Sequence, residues 1–229
     1  MKTVGRSDGR TGKRVLVAAL VFLSVSPTVR LSAQDPWPIL DRASASYTAC
    51  STLTADFVQI ITSPMLGAPD TTRGQMFLVR PSRFALRFSD PAGDRIVADG
   101  QRLWLYTPST TPGQVIRTHI PDAGGTGPNL IGQFVERPRE RYRATYVRAD
   151  SLASGWSDVV ALAPFVANAP YSEAVIWVNR DDGMARRIEI TEVSGQRRTF
   201  LLSRLRPNAA VAARETSFSV PRGVRVVDQ

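Results

Sequence analysis

Between residues 74 and 108 the chain reads Gly74-Gln-Met-Phe-Leu-Val-Arg80-Pro81, Arg83-Phe-Ala-Leu-Arg-Phe88, Asp99-Gly100 and Leu103-Trp-Leu-Tyr-Thr-Pro108. These are short runs rich in aromatic and branched residues, separated by turn chemistry at Pro81-Ser82, Asp90-Pro91-Ala92-Gly93 and Asp99-Gly100, the pattern of antiparallel strands joined by hairpins. A half-exposed strand alternates apolar with polar, yet Met76-Phe-Leu-Val79, Leu103-Trp-Leu-Tyr106 and, further on, Ala174-Val-Ile-Trp-Val178 are apolar on both faces. Both faces of the sheet therefore want cover. One cation interrupts the run: alternation puts Arg80 on the same strand face as Met76 and Leu78, where a guanidinium must find acceptors.

Outward from this stretch the same period of two recurs. It holds over Leu53 to Val58, Gly74 to Val79, Arg83 to Ser89, Arg95 to Ala98, Arg102 to Tyr106 and Gln114 to His119, then over Arg141 to Arg148, Asp158 to Ala163, Ala174 to Asn179, Ala185 to Val193 and Arg197 to Leu205. Arg180-Asp-Asp-Gly183 and Ser194-Gly195 join the last three as a meander. Two segments have helical spacing instead. Pro36 to Ala49 carries Trp37, Leu40, Ser44 and Tyr47, with Asp35 as N-cap; Asn129 to Glu136 puts Leu130, Ile131, Phe134 and Val135 on one face before Pro138 ends it. About ten strands and two helical insertions, with no repeat and no linker, favour one strongly curled or barrel-like antiparallel sheet with helices on one side. Two readings of the apolar inner face stay open: an ordinary core under the helices, or the lining of a cavity for an apolar ligand.

The first 33 residues read as a secretory signal. Lys2, Arg6, Arg10, Lys13 and Arg14 precede the short apolar core Val15 to Val25, and Leu31-Ser-Ala33 offers a small-residue cleavage site. Cleavage there starts the mature chain at Gln34, which is not the cysteine a lipid-anchored product requires. Of 29 basic residues six precede Gln34, as does one of 20 acids, which leaves 23 arginines against 19 carboxylates, a net charge of +4. An exported domain of that modest charge is not a nucleic-acid binder. The single cysteine, Cys50, permits no internal disulfide and reads as a small half-buried residue near a helix end.

Catalysis has poor material. His119 is the only histidine, and there is no Gly-x-Ser-x-Gly elbow, no phosphate loop and no Cys/His metal spacing. Gly124-Gly-Thr-Gly127 lacks the lysine of a phosphate loop, Asp181-Asp182 suits a hairpin turn, and nothing in the spacing selects a pair such as Asp56 with Asp99 for acid–base work. The expectation is a protein that is not an enzyme and holds neither cofactor nor metal. Arg137, Arg139, Arg141 and Arg143, spaced by two, would share one strand face, either as a solvated surface or as a patch for acidic headgroups or an acidic partner.

In order along the chain, Leu53-x-Ala-x-Phe57-x-Gln59, Gly74-x5-Arg80-Pro81-x-x-Phe84, Asp90-Pro91, Asp99-Gly100-x-x-Leu-Trp104-x-Tyr106-x-Pro108 and Phe218-x-x-Pro221-x-Gly223-Val together resemble the periplasmic outer-membrane lipoprotein carrier family, LolA. The resemblance implies an unclosed antiparallel β-barrel of about ten or eleven strands with a helical lid over a hydrophobic cavity, formed by a single domain over residues 34–229. It implies a periplasmic chaperone, monomeric, that accepts acylated lipoproteins from an inner-membrane lipoprotein-releasing ABC transporter and delivers them to an outer-membrane receptor. On that fold the cavity would be lined by Phe57, Met76, Leu78, Phe84, Leu86, Phe88, Trp104, Tyr106, Leu130, Ile131 and Phe134. The family's matching arginine hydrogen-bonds lid backbone and holds the empty carrier closed. Arg80 is thus expected to latch the lid, against the loop 122–128 or the helix after it. The chain departs from the family at Leu86, where many members carry an aromatic residue, in the loop Thr107 to Gly113 and over Ser151 to Tyr171. The lipid-anchored receptor of the same fold is disfavoured by Gln34. Two alternatives use the same architecture: a lipoprotein-sensing regulatory domain, and a carrier of glycolipids or apolar small molecules.

Overall fold

A computed structural model describes residues 34–65, 67–120 and 129–229. The expected signal segment and the loop 122–128 lie outside them. In chain order the elements are helix α1 (Trp37–Thr48), strands β1 (Thr52–Thr62), β2 (Asp70–Val79), β3 (Arg83–Asp90), β4 (Ala92–Asp99), β5 (Arg102–Tyr106) and β6 (Gln114–His119), and the single-turn helices α2 (Gly132–Val135) and α3 (Pro138–Arg141). Strands β7 (Tyr142–Leu152), β8 (Gly155–Pro164), β9 (Tyr171–Asn179), β10 (Ala185–Glu192) and β11 (Arg197–Pro207) follow, then a 3-10 turn at Ala213–Thr216 and β12 (Arg225–Asp228).

The twelve strands of the described residues form one sheet in the order β12-β6-β5-β4-β3-β2-β1-β11-β10-β9-β8-β7. The first six strands and the next five make two meanders, joined where β1 pairs antiparallel with β11. Strands β7 and β12 stand at opposite edges, so the sheet is unclosed. Pairing is antiparallel except at β12, which runs parallel to β6. This last strand exceeds the ten or eleven expected. Its Arg225-Val-Val-Asp228 is too short for periodicity to reveal it.

Cross-strand partners share a face, so the register defines the inner surface. Leu105, Ile96, Leu86, Met76 and Ala55 follow one another across β5 to β1; Phe200, Ile188, Ile176 and Val160 continue it from β11 to β8. Helix α1 lays Ile39, Leu40, Ala43 and Tyr47 on this surface, and Leu130, Ile131, Phe134 and Val135 join them in one buried cluster. Helix α1 starts one residue later than its capping signal suggests: Pro36 is the N-cap residue, and Asp35 Oδ1 accepts from Trp37 N at 3.1 Å.

The outer face has its own cover. Ala85, Val97 and Val115 are fully buried although they point away from the helices, because the segment after β11 crosses that face. Phe218 stacks on Trp104 with centroids 5.3 Å apart and lies 5.7 Å from Tyr106. Thr216, in the same strap, is itself buried. Arg117 sits over the Trp104 ring at 5.6 Å and grips the Asp228 carboxylate with Nε and Nη2 at 2.6 and 2.8 Å, tying β6 to β12. The double-sided apolarity of Leu103 to Tyr106 thus has two distinct causes, helices within and a C-terminal strap without.

Two local expectations are corrected. The helix expected over Asn129 to Glu136 is one turn, Gly132–Val135, followed by Arg137 with φ 49° and a second turn opened by Pro138. The four arginines do not share a strand face: Arg139 and Arg141 lie in α3, Arg137 adopts a left-handed conformation before it, and only Arg143 is in β7. Proline fixes φ near the helical value and suits a first turn, which outweighs the period-two spacing.

Candidate functional site

The inner surface and the turn α2 border an apolar cavity of about 180 Å³. Its walls are Leu86, Ile96, Leu103, Leu105, Ile190 and Phe200 from the sheet and Leu130 from the segment leading into α2, with Gln59, Gln133 and Arg198 as the polar lining. Of the residues expected to line it, Leu86 and Leu130 do so directly. Phe57, Met76, Leu78, Phe84, Ile131 and Phe134 are buried in the surrounding cluster, and Phe88 packs against its margin. Trp104 and Tyr106 do not belong to it. Their neighbours Leu103 and Leu105 face the cavity, so strand alternation turns both aromatics outward onto Phe218. A larger hollow of about 620 Å³ lies on the other side of the sheet, bordered by Asp56, Arg87, Arg95 and Arg204, and is open and polar.

The cover is held at one corner by Arg80. It sits one residue beyond β2, and its Nη1 donates to Glu136 Oε1 at 2.8 Å. The two side chains are 27% and 31% exposed. The guanidinium also lies over the Tyr47 ring at 5.1 Å, and Arg80 N donates to Ser51 O. Tyr47 OH donates to Asn129 Oδ1 at 2.7 Å, and the same oxygen accepts from Gly132 N. Burial, outweighing the help of Asn129, pushes the Tyr47 phenol well above its ordinary range, so it remains a neutral donor. A side chain at Gly132 would put its Cβ 2.4 Å from Asn129 Nδ2 and 2.9 Å from Tyr47 OH. Glycine is what lets α2 approach α1 so closely. The partner of Arg80 is thus a carboxylate at the end of α2.

At its other side α2 is fixed by aromatics. Phe134 meets Tyr171 edge-on at 5.8 Å, and Tyr142 OH donates to Gln133 O at 3.0 Å while standing 2.9 Å from Tyr171 OH. Helix α1 is clipped to the inner face by buried Asp158, which accepts from Arg42 Nη2 at 3.3 Å and from Arg180 Nε and Nη2 at 2.9 and 2.6 Å. Asp56 and Asp99 do not come together: Asp56 pairs with Arg204, and Asp99 accepts from Gln101 N, Arg102 N and Trp104 Nε1. Cys50 is buried beside the end of α1, its Sγ 3.3 Å from Ser46 O, and burial raises its thiol, which leaves it inert.

Sequence reasoning missed Glu136, Gln133 and Arg198. Arg198 had a legible signal: two residues before Phe200, alternation places it on the inner face. Glu136 and Gln133 had none, since the helical spacing around them describes only apolar positions.

The model of the family "Outer membrane lipoprotein carrier protein LolA" matches residues 48–219. An outer-membrane lipoprotein carrier protein of Methylobacillus flagellatus is 25% identical over 212 residues, covering 91% of this chain and 99% of that protein. One from Pectobacterium carotovorum is 30% identical over 175 residues, covering 76% and 80%. Among solved structures, an uncharacterized conserved protein from Thermus thermophilus superposes with a TM-score of 0.55 at 11% identity, over 86% of this chain and all of that one. That likeness concerns the fold.

Proposed function

The chain belongs to the LolA family of outer membrane lipoprotein carrier proteins, and from that membership we propose that it is a periplasmic chaperone. It takes the acyl chains of lipoproteins released by an inner-membrane ABC transporter into the hollow beneath α1 and α2 and delivers them to a receptor at the outer membrane. The observation that carries this reading is the inner surface itself: an apolar face curled round a cavity, closed by two single-turn helices and one long one instead of by further sheet.

Magnitudes favour a carrier with a movable cover. At roughly 0.8 kcal/mol per exposed CH₂, two or three acyl chains in water cost on the order of tens of kcal/mol. The cavity of about 180 Å³ is below the roughly 300–1,000 Å³ of ordinary ligand pockets, so cargo enters only as the cover shifts. A partly exposed ion pair contributes up to about 1 kcal/mol, and a cation–π contact about 0.5–1 kcal/mol. The Arg80–Glu136–Tyr47 corner is therefore outweighed by the burial of about three methylenes, strong enough to close an empty carrier and weak enough to yield to lipid.

Arg80 is the proposed latch. Its contacts favour the closed empty state, and removing them lowers the relative free energy of the loaded one, which makes release uphill. Purification of the protein from periplasm followed by mass spectrometry is expected to find triacylated lipoproteins; free glycolipid in their place would overturn the lipoprotein reading. The variant Arg80→Leu is expected to keep its circular dichroism and its bound lipoprotein but to transfer little cargo to outer-membrane fractions. Transfer at the wild-type rate would overturn the latch.

A further inference from the structure

The cavity is not wholly apolar, and its polar groups are incompletely used. Gln133 is 7% exposed, projects from α2 into the lining, and its Nε2 has no partner among the described residues. Across the cavity Arg198 Nε is buried and likewise unpartnered. The charge of Arg198 is already answered: its Nη2 donates to Glu192 Oε1 at 2.9 Å, an oxygen that also accepts from Gln196 Nε2 at 3.2 Å. Two buried N–H donors on residues that line one apolar space, each forgoing a hydrogen bond, are costly unless an acceptor arrives.

We propose that Gln133 and Arg198 form a subsite for the carbonyl oxygen of an ester- or amide-linked acyl chain, engaged when cargo fills the cavity. The proposal rests on the carrier reading and adds to it which atom of the lipid the protein recognises. The acceptor must be neutral, because Glu192 already neutralises Arg198 and a free carboxylate would enter beside it as a like charge. It must also be joined to hydrocarbon, since every other wall is leucine, isoleucine or phenylalanine apart from Gln59. Gln133 rides on the cover and Arg198 on the sheet, so one carbonyl between them would tie cover to wall in the loaded state, where Arg80 and Glu136 do so in the empty one.

The test compares lipids that differ only in that oxygen. Delipidated protein is titrated, by displacement of a fluorescent fatty-acyl probe, with a dipalmitoyl-ester lipopeptide and its dihexadecyl-ether analogue, and in parallel with vesicles of the ester and ether forms of one phosphatidylcholine. The expected result is lipopeptide binding about tenfold tighter for ester than for ether, the scale of one or two hydrogen bonds in a dry site. In Gln133→Met, a near-isosteric change, the ester-to-ether ratio falls to about one, and Gln133→Leu behaves alike. Equal binding of ester and ether by the wild type, or a ratio that persists in both variants, overturns the subsite. A ratio seen with phosphatidylcholine alone supports the subsite and overturns the lipoprotein reading; failure to bind any of the four overturns both.

Discussion

At Asp99 a turn residue does more than end a strand. Its carboxylate accepts Gln101 N at 2.9 Å, Arg102 N at 2.8 Å and Trp104 Nε1 at 2.7 Å, fixing the hairpin that leads from β4 into β5. Burial pushes its pKa up, but the hydrogen bonds from Arg102, Trp104 and Gln101 outweigh it and hold the group below its ordinary value. A depressed folded-state pKa contributes stability that is present above the unfolded value of about 3.9 and is lost as pH falls through the folded one. Asp99→Asn is therefore expected to lower the urea midpoint at pH 7, with the gap from wild type closing below about pH 4; a gap constant from pH 7 to pH 2 would refute this. Gly74 shows residue-scale constraint of another kind. A Cβ there would lie 2.1 Å from Arg87 O and 2.9 Å from the Phe57 ring, so glycine is what allows β2 to approach β3 at the register shift beside Arg73.

At the scale of elements, the strap after β11 is the part of the fold that pattern reading does not supply. The strands from β1 to β11 are legible because alternation and turn residues are local signals. The double apolarity of Leu103 to Tyr106 is legible too, but its meaning is not: periodicity says that a face is buried, never by what. Pattern and family resemblance together put Trp104 and Tyr106 in the cavity, and only the register with Leu103 and Leu105 reverses that. In the candidate site Arg80 is readable as a lone cation in an apolar run, whereas its carboxylate partner lies 56 residues away at the end of a one-turn helix. Phe218→Ala tests the strap. Removing a half-buried ring stacked on Trp104 is expected to cost about 1–3 kcal/mol and to expose the segment between β11 and β12 to proteolysis without changing acyl-probe affinity. Weakened probe binding would mean that the strap also shapes the cavity.

For the molecule as a whole, the cover is held mainly by apolar burial, and the Arg80–Glu136 corner adds an electrostatic hold that salt can weaken. The Arg80–Glu136 pair is about one-third exposed, and the screening length falls from about 8 Å at 0.15 M salt to about 3 Å at 1 M. Uptake of an acyl probe by the empty protein is thus expected to quicken as sodium chloride rises to about 1 M. Glu136→Gln should be fast at low salt and nearly insensitive to it; an equal salt response in both proteins would show that the pair does not govern opening.

The seam between β1 and β11 carries a further consequence, for the order in which the structure assembles. Each meander is built from neighbours in the chain, but the seam joins Thr62 to Arg197 and Leu53 to Pro207, and β12 meets β6 across 111 residues. Loop closure over such spans precedes the contacts that reward it, so folding is placed in the slow, milliseconds-to-seconds class of β proteins. The seam brings Phe57 of β1 and Phe200 of β11 onto one continuous wall from strands far apart in the chain. A chain proposed to shield other molecules' hydrocarbon from water must therefore first gather its own from distant parts of the sequence.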